Sequence, residues 1–93
     1  MLYVIAYDIP DDARRLKLAN VLEGFGQRVQ RSVFECDLTE REYRALIKKV
    51  ERVVNLNEGD SVRIYRLCGA CVANVDVRGE GPPVEKSVDI YIV

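Results

Sequence analysis

The sequence predicts an α+β domain built in the order βαββαβ, with further strands appended at its C-terminus. Three observations carry this. The chain opens on an unbroken apolar run, Leu2-Tyr3-Val4-Ile5-Ala6-Tyr7, that stops at Asp8-Ile9-Pro10. Two helical patterns follow, separated by the β-branched stretch Arg28–Cys36. A further strand pattern, Val62–Leu67, comes after the second helix. Strands and helices in this order match a ferredoxin-like domain.

A segment apolar at every position reads as a strand buried on both faces, hence central in its sheet. Asp8 at its exit has two readings. It belongs to the turn before the helix, or it is a site residue, because a carboxylate buried at a strand end is costly unless paired or bound to a cation. Asp11-Asp12 suits a helix N-cap and first turn, and Ala13, Leu16, Ala19 and Leu22 follow at helical spacing. Gly24-Phe25-Gly26 closes this helix, placed at about residues 11–24 with Gly at or near C′. Arg14, Arg15 and Lys17 lie in its first turns, where the helix dipole disfavours cations. They are solvated charges or cations awaiting an anion.

Arg28–Cys36 is long for one strand and is either one bent strand or two short ones with a kink near Gln30–Ser32. Thr39 and Glu42 form a capping box, and Tyr43, Leu46, Ile47, Val50, Val53 and Val54 give a clean apolar stripe, so a helix is expected over about residues 40–55. Asn55–Asp60 is a turn, Val62–Leu67 a strand, and Cys71–Val77 a second strand across Gly69. Gly79-Glu80-Gly81-Pro82-Pro83 breaks the chain, and Ser87–Val93 alternates as a strand that must find an edge, in its own sheet or in another chain's. The division is therefore a ferredoxin-like domain at residues 1–78 and a linker plus strand at residues 79–93.

With 93 residues, 48% apolar and 31% charged, the chain makes one small soluble domain with a thin core, a size at which dimerisation often adds stability. A net charge of −1 excludes the bulk basic footprint of a nucleic-acid binder. Any such role falls to local patches: Arg14, Arg15 and Lys17; Arg28 and Arg31; Arg63 and Arg66. No stretch approaches the ~20 apolar residues of a membrane span. The strand pattern beginning at Leu2 leaves no room for a signal peptide, so the cytoplasm is expected. Cys36, Cys68 and Cys71 are an odd count, which argues against a disulfide framework, and without His they cannot complete a zinc site within one chain. Cys68-Gly69-Ala70-Cys71 is read as small residues at a strand turn, in preference to a zinc or redox motif. The absence of His also excludes Ser-His and Cys-His nucleophile pairs. Hydrolysis would fall to carboxylates, a metal, Tyr or Lys. One carboxylate per chain is a poor metal site, but a two-fold dimer would supply two copies of Asp8.

Tyr3–Ile9 with Asp11, Asp12 and Arg15, then Arg28–Glu35, and finally Tyr65–Cys71, together resemble the small CRISPR-associated nuclease-like protein that accompanies the CRISPR integrase in spacer acquisition. The resemblance spans nearly the whole chain. It implies a homodimer whose C-terminal strand packs on the partner's sheet, and an Asp8 pair facing Mg²⁺ or Mn²⁺. It implies metal-dependent cleavage of single-stranded RNA or double-stranded DNA, or else a non-catalytic role bridging integrase dimers on spacer-precursor DNA. By matching position it implies Tyr7, Arg15, Arg28 and Phe34 as supporting catalytic residues. Lys17 stands where many relatives have Arg, and Arg31 where many have an aromatic. With Arg14 and Arg15 they form the expected nucleic-acid contacts.

Overall fold

The structure is a computed structural model that describes residues 1–84. Its elements are β1 (Leu2–Asp8), α1 (Asp12–Glu23), β2 (Gln27–Gln30), β3 (Val33–Asp37), α2 (Glu40–Val53), a 3₁₀ turn (Leu56–Glu58), β4 (Ser61–Leu67) and α3 (Gly69–Ala73). The sheet runs β2-β3-β1-β4, with every neighbouring pair antiparallel. This is the ferredoxin-like arrangement, and β1 is central as its apolar run requires.

The alternation of a strand assigns each side chain to a face. Tyr3, Ile5 and Tyr7 enter the main core with Leu18, Ala19 and Leu22 of α1, Phe34 and Cys36 of β3, and Leu46, Val50 and Val53 of α2. The opposite face of β1 is covered less well than the sequence suggests. Leu2 is fully buried, Val4 and Ala6 are half-buried, and Asp8 is exposed. Residues 75–84 cross this second face and leave a cleft of about 440 Å³ against Val4, Val29, Val33 and Glu35.

The Arg28–Cys36 stretch is two strands. Arg31 and Ser32 form the turn between them, with Ser32 in the left-handed region at φ 60°. α1 starts where expected, with the Asp11 carboxylate accepting from Arg14 N–H at 2.8 Å. Its buried face differs from the expected one. Leu16 is 62% exposed and Ala13 is also exposed, whereas Leu18, Ala19 and Leu22 are buried. The three-residue spacing from Ala13 to Leu22 drifts half a turn around a helix of about 3.6 residues per turn, so it cannot mark one face. Gly24 caps this helix in ordinary αR geometry, at φ −75°. The glycine with a steric duty is Gly26. A Cβ there would lie 2.2 Å from Glu35 O and 2.7 Å from Cys36 Cα.

α2 has the full capping box, with Thr39 N–H donating to Glu42 Oε1 at 2.9 Å and Glu42 N–H donating to Thr39 Oγ1 at 3.2 Å. Cys71–Val77 is not a strand. Local hydrogen bonds prevail in this small-residue stretch: Val72 N–H donates to Cys68 O at 3.0 Å, and the Asn74 amide to Ala70 O at 2.9 Å. They build α3, and only Val72 of this helix is buried. The tail strand expected at residues 87–93 lies outside the described residues.

Candidate nucleic-acid interface

β1, α1 and the β2–β3 turn meet at one end of the sheet. Tyr7, Asp12, Arg15, Leu16, Ala19, Arg28, Arg31 and Ser32 line a cleft of about 220 Å³ there. The Tyr7 N–H donates to Ser32 O at 3.0 Å, which ties the turn to β1 and sets Arg31 at the rim. Arg28 pairs across the strands with Phe34 and lies 5.4 Å over its ring, while Tyr7 stacks on the same ring at 6.3 Å. Phe34 itself is fully buried. It is the floor under Tyr7 and Arg28, and no base can stack on it.

Three guanidinium groups face one carboxylate in this cleft. Arg15 is held in place, donating to Ile9 O at 2.9 Å and pairing with Asp12. Arg28 has only a long 3.8 Å contact to Glu23, with both side chains about half exposed. Among the described residues Arg31 makes no ion pair. Planar donor forks around a small concave space suit the oxygens of a phosphate group.

Arg14 is engaged inside the chain. Its Nε donates to Asp60 Oδ2 at 2.6 Å and its Nη2 to Asp60 Oδ1 at 2.8 Å. Asn55 N–H completes the grip at 2.9 Å. The Arg14 hydrogen bond, with help from Asn55 N–H and the Arg14 charge, holds the Asp60 carboxyl below its ordinary range against the opposing effect of burial. The same bond raises Arg14. The anion that the first-turn cations call for is therefore met intramolecularly at Arg14, and in part by Asp12 at Arg15.

Asp8 leaves the sheet at the same end as the cleft but on the opposite face, cross-strand from Ser61. Asp8 is exposed, and its carboxylate has no hydrogen bond or ion pair to any described residue. Lys17 is exposed and does not line the cleft. Arg63 and Arg66 take opposite faces of β4, Arg66 lying 5.9 Å over the Tyr3 ring, so they form no common patch. Among the described residues no group of three or more His, Cys, Asp or Glu is placed to hold a metal. The structure thus brings Tyr7, Arg15, Arg28 and Arg31 together over Phe34, and leaves Asp8, Arg14 and Lys17 outside the cleft lining. Sequence reasoning missed Ser32, Asp12 and Asp60. Asp12 had entered only as a helix N-terminal acid and as part of the family motif, and neither Ser32 nor Asp60 carried a local signal for its role.

Fold and site define a ferredoxin-like α+β domain with an anion-receptive arginine cleft and an exposed strand-end carboxylate at one end of its sheet. The profile of the family described as CRISPR associated protein Cas2 matches residues 1–75. The chain belongs to this family. It is 55% identical over 93 residues, the full length of both chains, to a Chloroflexus aurantiacus protein named CRISPR-associated endoribonuclease Cas2 1. It superposes on Streptococcus pyogenes Cas2 with a TM-score of 0.74 at 28% identity, covering 85% of this chain and all of that one. A chain of a partial Cas6-RT-Cas1–Cas2 complex matches with a TM-score of 0.73 at 29% identity, over 92% of this chain and 98% of that one. No described helix is long and apolar enough to cross a membrane.

Proposed function

We propose that this protein is a cytoplasmic, divalent-metal-dependent endonuclease of CRISPR adaptation that hydrolyses phosphodiesters in single-stranded RNA or double-stranded DNA. It works as a homodimer beside the CRISPR integrase. The observation that carries the reading is Asp8, a carboxylate without a partner among the described residues at the exit of the central strand, next in the chain to the Tyr7 that lines the arginine cleft. The name of the Chloroflexus relative supports the nuclease, and the Cas1–Cas2 complex supports the integrase partner.

The donor set fits Mg²⁺ or Mn²⁺. An exposed Asp8 supplies hard carboxylate oxygen, and such ions commonly take one or two carboxylates with water and substrate phosphate completing the shell. A second copy of the chain contributes the second Asp8. When bound, the ion supplies charge neutralisation at the scissile phosphate and a more acidic water. The chain's own residues do the positioning. Arg28 and Arg31 receive backbone phosphate, Arg15 is pre-oriented by Ile9 O and Asp12, and Phe34 keeps Tyr7 and Arg28 from swinging away. Arg14 supports this arrangement through Asp60, and Lys17 adds outlying charge to attract the polyanion.

One observation favours a second reading, a non-catalytic scaffold bridging integrase dimers on spacer-precursor DNA. Asp8 does not line the cleft, so phosphate can be held without it. Asp8→Asn separates the two. The nuclease reading requires Mg²⁺-dependent cleavage to vanish while the dimer and nucleic-acid binding persist. Spacer integration that survives Asp8→Asn supports the scaffold, and wild-type protein that cleaves nothing with Mg²⁺ or Mn²⁺ ends the nuclease reading.

A further inference from the structure

The cysteine pair at the end of β4 is used by neither reading above. Cys68 precedes α3, and Cys71 lies one turn on, with their Sγ atoms 3.5 Å apart. Both are exposed, whereas Cys36 is buried. Disulfide closure needs the two sulfurs to approach from that contact to about 2.05 Å, a movement that side-chain rotation can supply largely without displacing the sheet. The two thiols are also unequal. Cys68 makes no cap hydrogen bond of good geometry, yet the nearby Cys71 N–H, and then the Cys71 thiol, hold its pKa below the ordinary thiol value. The Cys71 thiol is raised, chiefly by its hydrogen-bond contact with the Cys68 sulfur and then by the Cys68 charge. An accessible, thiolate-favouring cysteine beside a second thiol is the arrangement of an attacking and a resolving sulfur.

We propose that Cys68 and Cys71 form a reversible dithiol–disulfide couple, a redox modification site in which Cys68 attacks and Cys71 resolves. The oxidant is a low-molecular-weight disulfide. The Cys68 thiolate attacks one sulfur of it, forming a mixed disulfide and expelling one thiolate. Cys71 then loses its proton to solvent and attacks the Cys68 sulfur, expelling the second thiolate. The protein loses two electrons and two protons, and the reagent disulfide becomes two thiols. Closure braces the turn from which residues 75–84 set out across the open face of the sheet.

The test uses the full chain with oxidised glutathione, followed by acid quench, alkylation and peptide mass mapping. Wild type should give a Cys68–Cys71 cross-link within one chain, reopened by reduced glutathione, with Cys36 untouched. Cys71→Ser should stop at a glutathione adduct on Cys68. Cys68→Ser should react at Cys71 more slowly than Cys71→Ser reacts at Cys68, because the favoured thiolate is gone. Equal rates in the two variants, or cross-links only between chains, would overturn the proposal. Both sites are exposed, so the single substitutions leave the fold in place to be measured.

Discussion

Replacing Arg28 and Arg31 together by Ala removes two of the three guanidinium groups of the cleft while leaving its walls in place. Among the described residues neither makes a short ion pair: the one ionic contact is Arg28 to Glu23 at 3.8 Å. The stability cost is therefore that of the Arg28 contact with the Phe34 ring, about 0.5–1 kcal/mol at a partly exposed site. The binding cost is larger. Each phosphate contact contributes about 0.9 to the slope of log affinity against log salt on duplex DNA, and about 0.7 on single strands. Two lost contacts per chain lower the slope by roughly 1.8 and 1.4. At about 0.1 M salt, measured from a 1 M reference, this is about sixtyfold weaker duplex binding and about twenty-five-fold weaker single-strand binding. Fluorescence anisotropy with labelled RNA and DNA between about 50 and 200 mM salt reads both slope and affinity. A folded double variant whose slope equals that of wild type would refute the cleft as the phosphate contact.

Three further outcomes test the fold that holds the site. Gly26→Ala forces a methyl against the main chain of β3, so urea denaturation should show a loss of roughly 1–3 kcal/mol or more, as for other overpacked positions. Ser32→Gly relieves a left-handed backbone that costs an L residue about 1–2 kcal/mol, against about 0.5–1 kcal/mol of added chain freedom, and should stabilise by about 0.5–1 kcal/mol in the same assay. Asp60→Asn tests the buried ion pair through pH. The folded-state pKa of Asp60 is depressed, so its stabilisation is complete above the unfolded carboxylate value and is lost as pH falls through the folded one. Wild type should unfold at higher temperature than Asp60→Asn near neutral pH, and the two should converge below about pH 4. A gap independent of pH would mean that the ionised carboxylate is not what matters there.

The parts of the fold legible in the sequence are those governed by local chemistry. α2 was readable to within two residues because its capping box and stripe agree. β1 was placed centrally because it has no polar position before Asp8. Legibility fails where a distant partner decides. Arg14 and Asp60 are 46 residues apart, and nothing near either predicts their fork-to-fork pairing. The phase of α1 was misread because Ala13 and Leu16 look like core residues until the sheet is present to choose Leu18 and Leu22. Cys71, Ala73, Val75 and Val77 alternate like a strand, yet the Gly69-Ala70 start and the Cys68 carbonyl make a helical turn cheaper. The candidate site residues divide in the same way. Asp8 was conspicuous from the first ten residues, whereas the grouping of Arg15, Arg28 and Arg31 emerges only when the Arg31-Ser32 turn folds back beside β1.

The central position of β1 has a consequence for how the protein is made. Its partners are β3 and β4, and its β4 contacts join Leu2 to Leu67 and Asp8 to Ser61. β1 is made before β4 and must therefore wait for it before both its edges are paired. Long-range pairing of this kind slows folding and leaves apolar edges exposed in the interim. Until β4 docks, the Asp8 end of β1 lacks Ser61 beside it, and Asp60 has not reached Arg14. A chain made only as far as α2 thus has neither the strand pairing beside Asp8 nor the Arg14–Asp60 ion pair.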